Sequence, residues 1–256
     1  MLDFLAAVGR VFLGFLVATG RFAIFTFSAI SHCVRPPVYL RLVLRQIVDI
    51  GYYSLPVVGL TAIFTGMVLA LQTNTGFARF QAQGAVATVV ALSMTRELGP
   101  VIAALMVAGR IGAAIAAEIG TMRVTDQIDA MTTLSTNPFK YLVVPRVVAG
   151  VATLPVLVLV ADIIGVFGGF LVATYKLGFN PSGYIGQTAD NLRSDDVVSG
   201  LIKAAVFGFI VTIMGCYFGY HSRGGAQGVG AATTYAVVSA SIMVLLVDYL
   251  LTSVLF

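Results

Sequence analysis

Seven ionisable residues stand inside or at the edges of long apolar stretches: Arg96, Glu97, Arg110, Glu118, Asp162, Lys203 and Asp248. A charge at the middle of a bilayer costs about 2.5–3.5 kcal/mol even on lenient insertion scales, so such residues either pair or line a polar path. Arg96 and Glu97 adjoin Gly99-Pro100, a natural place for a helix to kink. Arg96 and Arg110 lie almost four turns apart and share one face of an unbroken helix. Pairing would fix helix packing; a water-filled cavity would let the same groups hold a charged headgroup. Both readings stand open for Arg96 and Glu97. Lys203 and Asp248, on the last two apolar segments, read more simply as a structural pair, and neither Asp162 nor Asp49 carries a functional expectation.

No other residues offer chemistry. No G-x-x-x-x-G-K-[ST] is present to cradle phosphates. His32 and His221 are far apart and unaccompanied, which gives no metal-ligand cluster. No serine sits in a G-x-S-x-G elbow. Gly224-Gly225 reads as a turn, and Cys33 and Cys216 read as small packing residues. No catalytic residue, metal or cofactor is therefore expected in this chain, and no nucleic-acid-binding stripe is visible. Energy for any transport has to come from a gradient or from another subunit.

The elements that position these charges are membrane helices. Hydrophobic residues make up 59% of the chain and charged residues 10%, far below the roughly 25% of soluble domains. Spans need about 20 mainly apolar residues, and the 27 glycines suit closely packed membrane helices. Five spans are predicted, at about 47–72, 85–120, 141–175, 201–220 and 231–256. The second would be about 50 Å long as one helix, so it must kink or project. Residues 2–31, interrupted by Arg10 and Arg21 and closed by Arg35-Pro36-Pro37, are expected to lie along the interface, with a sixth span as the alternative. The segments 73–83, 121–140, 176–200 and 222–230 read as polar connections.

Loop cations orient the bundle. Arg35, Arg41, Arg45, Arg123, Lys140, Arg146 and Arg223 fall on one side; Arg79, Lys176 and Arg193 fall on the other. The positive-inside rule then places the N-terminus in the cytoplasm and the C-terminus opposite. No internal repeat is found.

Two interleaved ladders of small residues, Gly109/Ala113/Ala117 and Gly112/Ala116/Gly120, predict close helix approach within the chain or between copies. The cytoplasmic segment Glu118–Met131 sets Ile119, Met122, Val124, Ile128 and Met131 beside Arg123, Asp126, Gln127 and Asp129. Such a stripe suits an amphipathic helix resting on the membrane or docking in a partner's groove.

The run Arg96-Glu97-Leu98-Gly99-Pro100-Val101, then Ala108-Gly109-Arg110, then Ala117-Glu118-Ile119-Gly120-Thr121-Met122-Arg123-Val124-Thr125-Asp126-Gln127 resembles the signature of the MlaE permease family. Gly66–Gln72 and the five-span layout fit as well, so the resemblance covers residues 1–256 as a single domain. It implies an all-α polytopic protein with an interfacial N-terminal helix (1–35), a transmembrane domain (47–256) and a short cytoplasmic coupling helix near 118–131. It further implies a homodimer in the inner membrane of a Gram-negative bacterium, working as the permease of an ABC transporter that moves glycerophospholipid and maintains outer-membrane lipid asymmetry. The implied partners are a cytoplasmic ABC ATPase that binds ATP and magnesium, a STAS-domain protein, and a periplasmic MCE hexamer. On that resemblance Glu118, Met122, Arg123, Asp126 and Gln127 couple to the ATPase. Leu69, Gln72, Phe77, Phe80, Arg96 and Glu97 line the phospholipid pocket, with Lys203 and Asp248 completing a buried charge cluster. Arg96 would offer paired donors to a phosphate.

Two other classes remain in view. A stand-alone proton-coupled carrier would use Glu97, Lys203 and Asp248 as a relay. An intramembrane lipid-modifying enzyme would need a nucleophile or metal site, and only Glu97 offers an acid.

Overall fold

The computed structural model describes residues 2–36, 39–78 and 83–255, and every regular element among them is helical. Six of these helical stretches are long and apolar enough to cross a membrane: Phe12–Cys33, Leu40–Ala78, Val86–Val124, Phe139–Tyr175, Ser194–Tyr220 and Gly225–Leu255. The protein is an all-α polytopic membrane protein.

The first of these stretches belongs to α1 (Leu2–Val34). Its ring contacts fall on a single layer: Phe22 on Tyr217, Phe25 on Phe139, Tyr217, Tyr220 and His221, and His32 on Phe139. Those partners mark one end of the bundle. Residues 22 to 32 cover about 15 Å of helix, yet meet one layer rather than climbing along a neighbour. The helix therefore crosses the end of the bundle.

The next crossing joins α2 (Leu40–Ile50) through a short 3-10 turn to α3 (Leu55–Ala78). The long second stretch is α4 (Val86–Ser93), α5 (Gly99–Val107) and α6 (Ala113–Val124), linked by π-helical turns at Met94–Leu98 and Ala108–Gly112. The chain thus absorbs Gly99-Pro100 by widening its turns. Each π turn adds a residue and rotates the helix beyond it by roughly 100°. Arg96 and Arg110 accordingly do not share a face: Arg96 reaches Asp196, while Arg110 donates to the Asp49 carbonyl at 3.2 Å and to Ser54 Oγ at 2.8 Å.

After α7 (Gln127–Thr133) comes α8 (Val144–Tyr175), the central helix, packed against α2, α3, α5 and α10 (Ser194–Tyr220). Glycine permits these approaches. A Cβ on Gly66 of α3 would strike the Gly165 carbonyl of α8, and one on Gly208 of α10 would strike that of Gly150. Of the two ladders, Gly112, Ala116 and Gly120 are buried, the first two facing α10, whereas Gly109 is exposed with open space beside it. α11 (Gly225–Leu255) is peripheral. It buries Ala232, Ala236, Ala240 and Val244 at four-residue spacing and leaves its remaining apolar face outward.

The 176–200 region, read from sequence as a polar loop, holds α9 (Pro181–Asn191) and the first turns of α10. Asn180 caps α9, its Oδ1 accepting from the Ser182 N–H, with Pro181 at the first helical position. Asp196 caps α10, accepting from the Arg193 N–H at 3.0 Å. Arg146, counted from sequence among the loop cations, is instead buried in α8.

Candidate functional site

Pro100 shapes the site. A helical N–H at position 100 would bond the carbonyl of Arg96, but proline has none. Gly99 donates back to the Met94 carbonyl instead, which widens the turn. Lys203 of α10 takes the vacant acceptor: its Nζ donates to the Arg96 carbonyl at 3.1 Å.

Lys203 is fully buried and has three hydrogens to give. The other two go to Glu97 Oε2 at 2.6 Å and Thr252 Oγ1 at 2.7 Å. Asp248 Oδ1 lies 3.2 Å away as an ion-pair partner without a hydrogen bond of its own, because the ammonium is already saturated. Beside this group Arg96 sets Nε 2.8 Å from Asp196 Oδ1. Two cations and three carboxylates are thus held by α10, α11 and the π turn. The cluster is open on one side: Arg96 and Glu97 keep about a third of their side-chain surface exposed, at 35% and 37%. The chain can therefore present a guanidinium edge and a carboxylate at an opening, over a buried lysine that holds the carboxylate in place.

Asp196 and Thr252 are partners that sequence reading missed. Asp196 carried a signal, an acid three residues past Arg193 at the head of an apolar run. Thr252 carried none, since its role depends on α11 returning to α10.

The other described residues assigned to that pocket, Leu69, Gln72 and Phe77, lie on α3. Leu69 and Phe77 pack on Ala70, Val86 and Val90, together with Val172 and Phe179. Gln72 is exposed. Phe80 falls outside the described residues.

The segment from Glu118 to Met131, expected from the loop charges to be cytoplasmic, is built in two pieces. α6 runs to Val124, Asp126 adopts a left-handed conformation (φ 58°), and α7 follows. Ile119, Ile128, Met122 and Met131 belong to the chain's own core, so the apolar stripe faces inward. Asp126, Gln127, Asp129 and Leu134 face outward, with Leu134 at 78% exposure. Arg123 pairs with Asp129 at 2.6 Å and lies over the Tyr220 ring. Glu118 sits a turn and a half back, paired with the buried Arg146 at 2.7 Å, and so braces α6 against α8.

The family model described as "Permease MlaE" matches residues 43–254. The chain belongs to the MlaE permease family. A probable ABC transporter permease protein of Rickettsia felis is 57% identical over 256 residues, all of this chain and 99% of that one. The intermembrane phospholipid transport system permease protein MlaE of Haemophilus influenzae is 35% identical over 257 residues, covering 100% and 98%. The chloroplastic TRIGALACTOSYLDIACYLGLYCEROL 1 protein of Arabidopsis thaliana is 36% identical over 229 residues, covering 90% of this chain and 65% of that protein. This MlaE-family chain is an ABC transporter permease, a multi-pass membrane component of a transporter.

Proposed function

We propose that this permease moves glycerophospholipid between the inner membrane and a periplasmic MCE carrier, and so maintains outer-membrane lipid asymmetry. The observation that carries this reading is the one-sided charge cluster, Lys203 buried beneath a partly open Arg96 and Glu97. Arg96 and Glu97 meet a zwitterionic or phosphate-bearing head at the opening, and acyl chains follow the apolar helix faces. The name of the Haemophilus influenzae relative, an intermembrane phospholipid transport permease, supports the same substrate class.

In this reading two copies pair in the inner membrane, N-termini cytoplasmic and C-termini periplasmic, with lipid held between them. Helix α1 lies along the cytoplasmic interface, in keeping with its course across the bundle end. A cytoplasmic ABC ATPase binds ATP and magnesium and seats against Asp126, Gln127 and the outward face of α7; a STAS-domain protein binds that ATPase, and an MCE hexamer receives the lipid. Mass spectrometry of the tagged chain, purified with its genomic neighbours, tests this directly. Phospholipid and an ATPase should co-elute, and Lys203→Met should lower the lipid load. An equal lipid load in that variant, or no ATPase in any preparation, would overturn the reading.

A further inference from the structure

A cavity lies behind the charge-bearing π turn, between α8 and α9, with a volume of about 520 Å³. That is the size of an ordinary small-molecule site. Leu159, Val166 and Phe170 of α8 form one wall, Thr188 and Ala189 of α9 the other with Leu192 just past the helix end, and Thr95 reaches it from the π turn. Its mouth carries Ile163 and Phe167, on the outer surface of the membrane-crossing helix α8, and Ile185 of α9, each more than half exposed.

The polar groups around it are spent or turned away. Thr95 Oγ1 donates to the Ala91 carbonyl at 3.0 Å, and Thr188 Oγ1 to that of Tyr184 at 3.0 Å. Asp162 Oδ1 presses on Gly99, and the Tyr184 hydroxyl on Gly169, both buried without a hydrogen-bond partner. Water needs two to four polar partners to occupy such a space, and these walls offer it almost none. An empty void of this size forfeits the contacts of its whole lining. The apolar molecule with access to the mouth is the lipid that surrounds the helices.

We propose that the α8/α9 cavity is a lateral lipid site that takes one acyl chain of a bilayer lipid. The site requires only a chain embedded in lipid, and holds whether or not the charge cluster binds a headgroup. It lies away from α11, which packs on α10, α6 and α5.

Photolabelling tests it. The full chain is reconstituted in vesicles of phosphatidylcholine that carry a diazirine on one acyl chain, irradiated, and mapped by peptide mass spectrometry. Adducts on the half-buried Val166, Leu192 and Val197 should exceed, several-fold, those on the more exposed Ile242 and Leu246 of α11. Filling the chamber from either wall, with Val166→Trp or Ala189→Phe, should abolish the excess and leave α11 labelling unchanged. Wild-type adducts no denser in the chamber than on α11 would overturn the proposal even if both fillings misfold. So would adducts indifferent to both fillings, or chamber residues protected by a co-purified protein chain. Glu97→Gln, a milder change at the charge cluster, should leave the chamber signal intact, which separates this site from the headgroup reading.

Discussion

Pro100 and Lys203 act on one atom. The Arg96 carbonyl that Pro100 cannot bond is the carbonyl that receives Lys203 Nζ at 3.1 Å. Pro100→Ala returns an N–H to that position, so backbone and lysine compete for the acceptor. The expected variant is folded, with a thermal midpoint at or above wild type and a reduced load of co-purified phospholipid. An unchanged lipid load would show that the lysine's grip on the turn is irrelevant to binding.

Lys203 should be intolerant alone and tolerant in company. Lys203→Met leaves Glu97 and Asp248 facing each other without a cation, and removing one partner of a buried pair costs about 3–5 kcal/mol. Glu97→Gln alone should cost less, since Glu97 is over a third exposed. The triple variant Lys203→Met/Glu97→Gln/Asp248→Asn should recover most of the loss in detergent unfolding. Failure to recover would mean that the lysine stabilises by packing rather than by charge.

Gly99 admits no side chain. A Cβ there would collide with Asp162 Oδ1 and lie 2.8 Å from the Met94 carbonyl. Gly99→Ala should lower the yield of folded protein sharply, and adding Asp162→Ala should restore it in part, because the backbone contact remains. Size-exclusion profiles of the three variants decide the matter.

The outward face of α7 should matter for partnership and little for stability. Asp129→Lys breaks an exposed ion pair with Arg123, a change worth about 0–1 kcal/mol. Asp129→Lys combined with Leu134→Asp is expected to leave the unfolding midpoint within a few degrees of wild type while ATPase capture is lost. Retained capture would move the docking surface elsewhere.

The two small-residue ladders separate in the same way. Gly112→Leu faces Val211 and should unfold the bundle, whereas Gly109→Leu enters open space and should not. Crosslinking in membranes would then report whether Gly109→Leu weakens pairing between copies.

The sequence made the membrane class and the five apolar segments after α1 legible, because hydrophobic length is a local property of the chain. Helix starts were less visible. α10 begins at Ser194 because Asp196 caps it while also receiving Arg96, a contact across a hundred residues of chain. The π turns were hidden for a related reason: Gly99-Pro100 announces a missing N–H, but whether the helix kinks or widens depends on Lys203 arriving from α10. Arg146 looked like a surface cation since its partner Glu118 lies on another helix. The stripe from Ile119 to Met131 was correctly apolar, and only the packed bundle determined that it faces inward.

The stretch from Val86 to Val124 is covalently one rod, with Arg96 near one end and the α7 turn at the other. Some 28 residues separate Arg96 from Val124, about 42 Å of helix. A push delivered at the α7 end is therefore transmitted to the guanidinium by the backbone itself, without a relay of side chains. The π turns at Met94–Leu98 and Ala108–Gly112 are the two compliant joints in that rod. Each bears one of its arginines, so any flexing of the rod is spent where a cation is gripped by a neighbouring helix.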